Sequence, residues 1–213
     1  MAVKRGPRPH SSTHQARGRQ QRQLRIIAGQ WRGRRFRFPE LDIRPTPDRV
    51  RETLFNWLQT RIEGAHCLDL YAGSGALGLE ALSRGAASVV FVEHQRLAAD
   101  ALQRLLRDWQ ASAATVVCDE ALHYLAARRA RGAPGAPPGT SERGFDLVFL
   151  DPPYGSGELP AAAAALAHSG LAPEALIYVE QHADDELQQA LPASWRQLRT
   201  GKAGEVRYHL YAA

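Results

Sequence analysis

The sequence holds only two cysteines, Cys67 and Cys118, among 213 residues. That excludes a disulfide scaffold and suits a reducing compartment. It contains no CxxC, and its eight histidines are scattered, so neither a structural nor a catalytic metal is expected. Long hydrophobic runs are lacking too. The longest stretch free of Asp, Glu, Lys and Arg, Leu159–Pro173, is Ala-rich, broken by Pro160, and too short to span a bilayer. No apolar segment follows the first positive charges, so the start of the sequence does not read as a secretory signal, and a cytoplasmic location with no membrane partner is expected. One further absence is informative. No acidic residue precedes Glu40, whereas eleven of the 27 Lys and Arg residues do. What is present is a 44% hydrophobic content, enough for one folded domain of ordinary size with an appendage.

A basic segment in front of an otherwise acidic chain points to a polyanionic partner, and the preference for Arg suits phosphate forks and base stacking. Residues 1–22, rich in Gln, Ser, Pro and Arg, read as a basic disordered tail. Leu24–Gly29 and Arg34–Phe38 alternate around a Gln-Trp-Arg-Gly turn, which predicts a basic β-hairpin within residues 23–42. Its Arg25, Arg32, Arg34, Arg35 and Arg37 are candidates for gripping nucleic-acid phosphates. Trp31 has two readings, stacking on a base or packing against the helix that follows. Thr46-Pro47 predicts an N-cap with proline at the first helical position, and Val50, Leu54, Trp57 and Leu58 continue at helical spacing to about Gln59.

From residue 66 a strand–helix rhythm begins. The predicted strands are Cys67–Tyr71, Ser88–Val92, Thr115–Val117, Phe145–Leu150 and Ala175–Val179. Between them lie predicted helices at Gly75–Arg84, Arg96–Trp109, Glu120–Arg131 and Leu159–His168, and a short one follows at Asp184–Ala190. On Arg96–Trp109 the apolar stripe is read as Leu97, Ala101, Leu105 and Trp109. Trp195–Thr200 and Glu205–Tyr211 form an expected antiparallel pair, and Gly132–Gly144 an inserted loop. Apolar strands alternating with helices predict an α/β fold with a parallel, doubly wound sheet. Both cysteines are read as core residues.

Three features carry chemistry. Glycines 73, 75 and 78 form G-x-G-x-x-G at the first strand-to-helix turn, and Glu93 stands twenty residues beyond Gly73. There an acid can accept both ribose hydroxyls of a nucleoside, whether of NAD or of S-adenosylmethionine. Asp69, inside the end of the first strand, could hold a ligand's amino-acid end through water. Asp119, after the third strand, could accept from an adenine amine or cap the next helix. The third feature is Asp151-Pro152-Pro153-Tyr154, directly after an apolar strand. An exocyclic base amine is a poor nucleophile, because its lone pair is delocalised into the ring. The Asp151 carboxylate and the Pro152 carbonyl can each accept one of its N–H groups and aim the nitrogen at a methyl donor. Pro153 stiffens this loop, and Tyr154 offers a ring for stacking. A paired base would have to be flipped out to enter.

Together, RPTPDRVRETLFNWL from Arg44, LDLYAGSGALGLEALSRGA from Leu68, VFLDPPY ending at Tyr154 and ALIYVE from Ala175 resemble the bacterial RsmD family of 16S rRNA guanine-N2 methyltransferases. The resemblance runs from about Leu24 to Tyr211. It implies a class I S-adenosylmethionine-dependent methyltransferase fold, Rossmann-like, with a seven-stranded mostly parallel sheet and a small N-terminal β-hairpin. It further implies a catalytic domain over residues 43–213 and methyl transfer to N2 of the guanine at position 966. Its catalytic tetrapeptide falls on Asp151–Tyr154. Its cofactor contacts fall on Gly73, Gly75, Glu93 and Asp119, with the segment that closes the pocket on Thr46, Arg49 and Asn56. The expected partner is 16S rRNA in an assembling or assembled 30S subunit, met by a monomer. Competing readings are a DNA adenine-N6 or cytosine-N4 methyltransferase, a catalytically silent RNA-binding assembly factor and, more distantly, an NAD-dependent oxidoreductase.

Overall fold

Apolar residues run consecutively through Val89–Val92 and Leu147–Leu150, so these strands must be covered on both faces. The computed structural model describes residues 21–39, 46–130, 144–153, 155–168, 170–183 and 191–213. In it five parallel strands do lie between two helical layers: β3 (His66–Asp69), β4 (Ser88–Val92), β5 (Ala114–Val117), β6 (Phe145–Leu150) and β7 (Leu171–His182). The antiparallel strands β8 (Arg196–Ala203) and β9 (Val206–Ala212) complete a seven-stranded sheet of order β5-β4-β3-β6-β7-β9-β8. Alternate residues of one strand feed two cores. Cys67, Val89, Phe91, Leu147 and Phe149 face one layer, whereas Leu68, Val90 and Val148 face the other. The helices are α1 (Asp48–Trp57), α2 (Ala76–Ser83), α3 (Arg96–Asp108), α4 (Ala121–Ala130) and α5 (Glu158–Leu166). Among the described residues no helix is long and apolar enough to cross a membrane.

A separate two-stranded sheet, β1 (Gln21–Arg25) with β2 (Arg35–Pro39), pairs Arg25 with Arg35 and Gln21 with Pro39. The hairpin therefore starts before Leu24, inside the segment read as tail. The rest of that tail, the loop 132–144 but for Gly144, the helix expected at Asp184–Ala190 and Tyr154 lie outside the described residues.

Burial corrects four expectations. The buried residues of α3 are Ala98, Ala99, Leu102 and Leu106, one position on from the expected stripe. Leu105 and Trp109 form a second apolar face, and it is occupied by the hairpin. Trp31 packs its ring on Trp109 at 5.0 Å, and Phe36 meets the same ring edge-on at 6.0 Å. The ring partner of Trp31 is thus the residue that closes α3. At the start of α1, Pro47 is the cap and Thr46 is not; the Pro47 carbonyl accepts from the N–H groups of Val50 and Arg51. Cys118 is exposed, because it follows the edge strand β5, while Cys67 is buried.

The hairpin is also clasped through its backbone. Glu80 on α2 is fully buried and takes the N–H groups of Ile27 and Ala28 on its two oxygens, at 2.9 and 3.0 Å. Buried Arg51 of α1 lies 3.5 Å from that carboxylate, and Arg84 donates to it at 2.8 Å. Ser83 accepts from the Trp31 N–H and donates to the Ala28 carbonyl. A buried carboxylate that meets two backbone donors and two guanidinium groups is fully satisfied.

Candidate active site at the C-terminal edge of the sheet

Parallel strands with crossover helices direct their following loops to one edge, and there ligands of open α/β sheets bind. Here the edge carries a cavity of about 660 Å³. It is lined by residues that follow β3, β4, β5 and β6, including Asp69, Gly73, Glu93, Asp119 and Asp151–Pro153, and by Thr46 ahead of α1. Most of the residues singled out from the sequence thus converge. Gly75 belongs to the glycine turn but not to the lining, and Arg49 and Asn56 do not converge at all. Both are exposed and absent from the lining, since α1 turns Val50, Arg51, Leu54 and Phe55 inward and these two stand on its other side.

The glycine turn is built by conformation and by space. Gly73 and Gly75 have φ of 51° and 77°, a region costly for any residue with a Cβ. Gly78 has a different task, because a Cβ there would collide with the Phe91 ring of β4. It lets α2 lie against the sheet. Asp69 accepts the Gly78 N–H at 3.0 Å, and so ties the strand end to the helix start. Glu93 accepts the N–H groups of Gly73 and Gln95, both at 2.7 Å. It fixes the glycine turn, and a carboxylate retains further lone pairs for a ligand. Asp119 is held by His123 Nδ1 at 2.8 Å and by the Glu120 N–H at 2.9 Å.

The reacting end is electrostatically unusual. Asp151 is raised well above the usual carboxylate range by burial, and then by the nearby charges of Glu180 and Asp69. Burial likewise pushes Asp69 up to about 7, against the Gly78 N–H and with a contribution from Glu93. Glu180, at the end of β7, is buried and accepts from Tyr178 Oη at 2.8 Å and from Thr46 Oγ1 at 3.2 Å. Glu180 stands within the ALIYVE segment but had no role in the sequence reading. The signal was available, since it is an acid closing an apolar strand, as Asp69 and Glu93 are. Tyr71 and Glu158 were missed as well. Both line the cavity and are joined by a hydrogen bond of 3.0 Å. Every charged residue of the described lining is acidic, namely Asp69, Glu93, Asp119, Glu120, Asp151 and Glu158; no Lys or Arg is among them.

The arginines expected to hold nucleic acid stay on the hairpin. Arg32, Arg34, Arg35 and Arg37 are exposed, and alternation turns Phe36 and Phe38 inward between them. Arg25 pairs with Asp48 at 2.9 Å, while the Arg34 guanidinium lies 5.2 Å above the Trp109 ring.

Comparison with known proteins bears on this arrangement. The family model described as conserved hypothetical protein 95 matches residues 24–212. The ribosomal RNA small subunit methyltransferase D of Escherichia coli K12 is 46% identical over 191 residues, covering 89% of each chain. A solved structure of the E. coli protein yhhF, described as a candidate methyltransferase, superposes with a TM-score of 0.76 at 42% identity. It covers 89% of this chain and 97% of that one. A T. thermophilus 16S rRNA N2 G1207 methyltransferase, solved with AdoMet and guanosine, shares the fold at a TM-score of 0.62 and 22% identity. It covers 91% of this chain and 50% of that one. From the first β-hairpin to the last strand, the chain belongs to the conserved hypothetical protein 95 family, the RsmD family of methyltransferases.

Proposed function

We propose that this protein transfers a methyl group from S-adenosylmethionine to the exocyclic N2 of a guanine in 16S rRNA of the small ribosomal subunit. The observation that carries the reading is the position of Asp151 and Pro152, which open into the same cavity as the glycine turn of Gly73. The cavity chemistry also fits the donor. A sulfonium and an ammonium are cations, and the described lining is acidic throughout its charged positions. A dinucleotide would bring a pyrophosphate into the same carboxylates with no cation to meet it. The relatives named for rRNA small subunit methylation supply the substrate class.

In this reading Glu93 accepts from the ribose hydroxyls, Asp119 from the adenine amine, and Asp69 from the amino-acid end. Gly73 and Gly75 let the backbone approach between them. When bound, S-adenosylmethionine supplies an electrophilic methyl whose C–S bond breaks as the C–N bond forms, leaving a neutral thioether. Asp151 and the Pro152 carbonyl accept the two N–H groups of the guanine amine and direct its lone pair. As positive charge develops on nitrogen, the fixed anion stabilises it, and the surplus proton then leaves to water. The exposed arginines of the hairpin hold phosphates and bring affinity without sequence reading.

The test is to incubate the protein with unmodified small subunits and radiolabelled donor, then map the methylated nucleotide. Transfer to a guanine N2, abolished in Asp151→Asn while calorimetric donor binding persists, is the expected result. Methylation of duplex DNA in place of rRNA would overturn the substrate. Failure to bind the donor at micromolar concentration would leave a silent RNA-binding factor.

A further inference from the structure

Glu158 has no role in the chemistry described so far, yet it is not placed as an ordinary solvent-facing acid. It is the first residue of α5, a few positions beyond the Asp151–Pro153 corner, and it is half-buried in the wall of the same cavity. One carboxylate oxygen, Oε2, accepts from the Tyr71 hydroxyl at 3.0 Å. Burial, and then Glu158 itself, raise the Tyr71 phenol above its usual range, so Tyr71 remains a donor and does not compete as an anion. Among the described residues no Lys or Arg forms an ion pair with Glu158. A carboxylate is thus fixed by one oxygen against the wall, with the other oxygen left to a ligand.

We propose that Glu158, positioned by Tyr71, reads the Watson–Crick edge of the target base by accepting its N1–H. The inference rests on the guanine-N2 reading above and adds the residue that makes guanine the substrate. Guanine presents N1–H directly beside its C2 amine, two donors in one plane. If the Asp151 corner takes the amine, an acceptor lining the same cavity is available to N1–H. Adenine has an acceptor at N1 and no amine at C2, so its N1 lone pair would face the Glu158 anion. A site that pairs with a donor rejects the analogue lacking it, because the acceptor oxygen loses its partner and meets a lone pair instead. The Asp151 corner accepts any planar exocyclic amine, so discrimination must come from elsewhere in the pocket. Glu158 is a carboxylate of that wall already locked in orientation.

The experiment uses small-subunit particles reconstituted with 16S rRNA that carries 2-aminopurine in place of the target guanine. This base keeps the C2 amine and has a lone pair where guanine has N1–H. The full-length wild-type chain should prefer guanine on the order of 10³-fold in kcat/KM. In Glu158→Gln the amide can either accept from N1–H or donate to a bare N1, so the preference should fall to about tenfold or less. Tyr71→Phe, which removes only the anchoring hydroxyl, should give an intermediate preference with donor affinity unchanged. The inference is overturned if Glu158→Gln slows both substrates equally, or if its loss lies in donor affinity, which would assign the carboxylate to the cofactor. A wild-type chain inactive on guanine particles would instead sink the functional reading itself. An active chain whose preference is untouched by either variant would sink this assignment alone.

Discussion

At the scale of single residues, Asp151 and Asp69 hold their protons chiefly because they are buried, and secondarily because other acids lie near. A carboxyl raised by burial is ionised only above its usual range, so turnover that needs the Asp151 carboxylate should rise with pH across a limb higher than an ordinary aspartate would give. Glu180→Gln removes the charge that acts more strongly on Asp151 than Asp69 does and should move that limb to lower pH, as read from the pH dependence of kcat. The linkage to stability has the opposite slope. The folded protein binds a proton at Asp69 up to pH about 7, whereas the unfolded chain releases it near pH 4. Stability therefore falls as pH rises between those values, and Asp69→Asn should flatten the slope in denaturant melts. At Gly78 the governing quantity is space. Gly78→Ala drives a methyl into the Phe91 ring and should cost roughly 1–3 kcal/mol in chemical denaturation. Asp69, Glu93, Asp119, Asp151 and the glycines were legible in the sequence because each ends or follows a predicted strand or marks a turn. Glu158 and Tyr71 were not legible, since nothing in either local sequence shows that the end of β3 and the start of α5 will meet.

Among the elements, α2 is shared by two structures. Its N-terminal end forms the glycine turn, while Glu80 and Ser83 near its other end clasp the hairpin backbone. Glu80→Ala removes one of the two carboxylates that meet buried Arg51, Asp48 being the other, leaves the Ile27 and Ala28 N–H groups unpaired, and should cost about 3–5 kcal/mol. Hydrogen exchange offers a sharper readout. The amides of Ile27 and Ala28 should lose protection while those of β3 and β4 keep theirs. Strand and helix types followed from the pattern of apolar residues, and β4 and β6 lie where it placed them. The rotation of α3 did not follow from it. Trp109 belongs to an apolar face whose ring partners, Trp31 and Phe36, come from the hairpin. Periodicity records that a face is apolar without recording what covers it. The same gap explains Trp31, whose partner is a residue distant in sequence on α3.

Over the whole molecule, charge is divided between an acidic cavity and an arginine-studded hairpin. Binding to rRNA should weaken linearly with the logarithm of salt concentration. Each of Arg32→Ala, Arg35→Ala and Arg37→Ala should reduce that slope by about 0.7–0.9 for every phosphate it no longer neutralises. Donor affinity, measured by calorimetry, should be unchanged in the same variants, because none of these residues lines the cavity. The division was visible in the sequence as a count of charges. That the hairpin share of the basic segment, residues 21–39, is docked on the body required the structure. Because Glu80 and Ser83 fasten the hairpin near one end of α2 and the glycine turn occupies the other, eight residues of helix set a span of about 12 Å. The molecule is in that sense a caliper with fixed jaws. On the reading proposed above, a nucleic acid gripped by the arginines would offer to the acidic pocket a base at a set distance along its backbone.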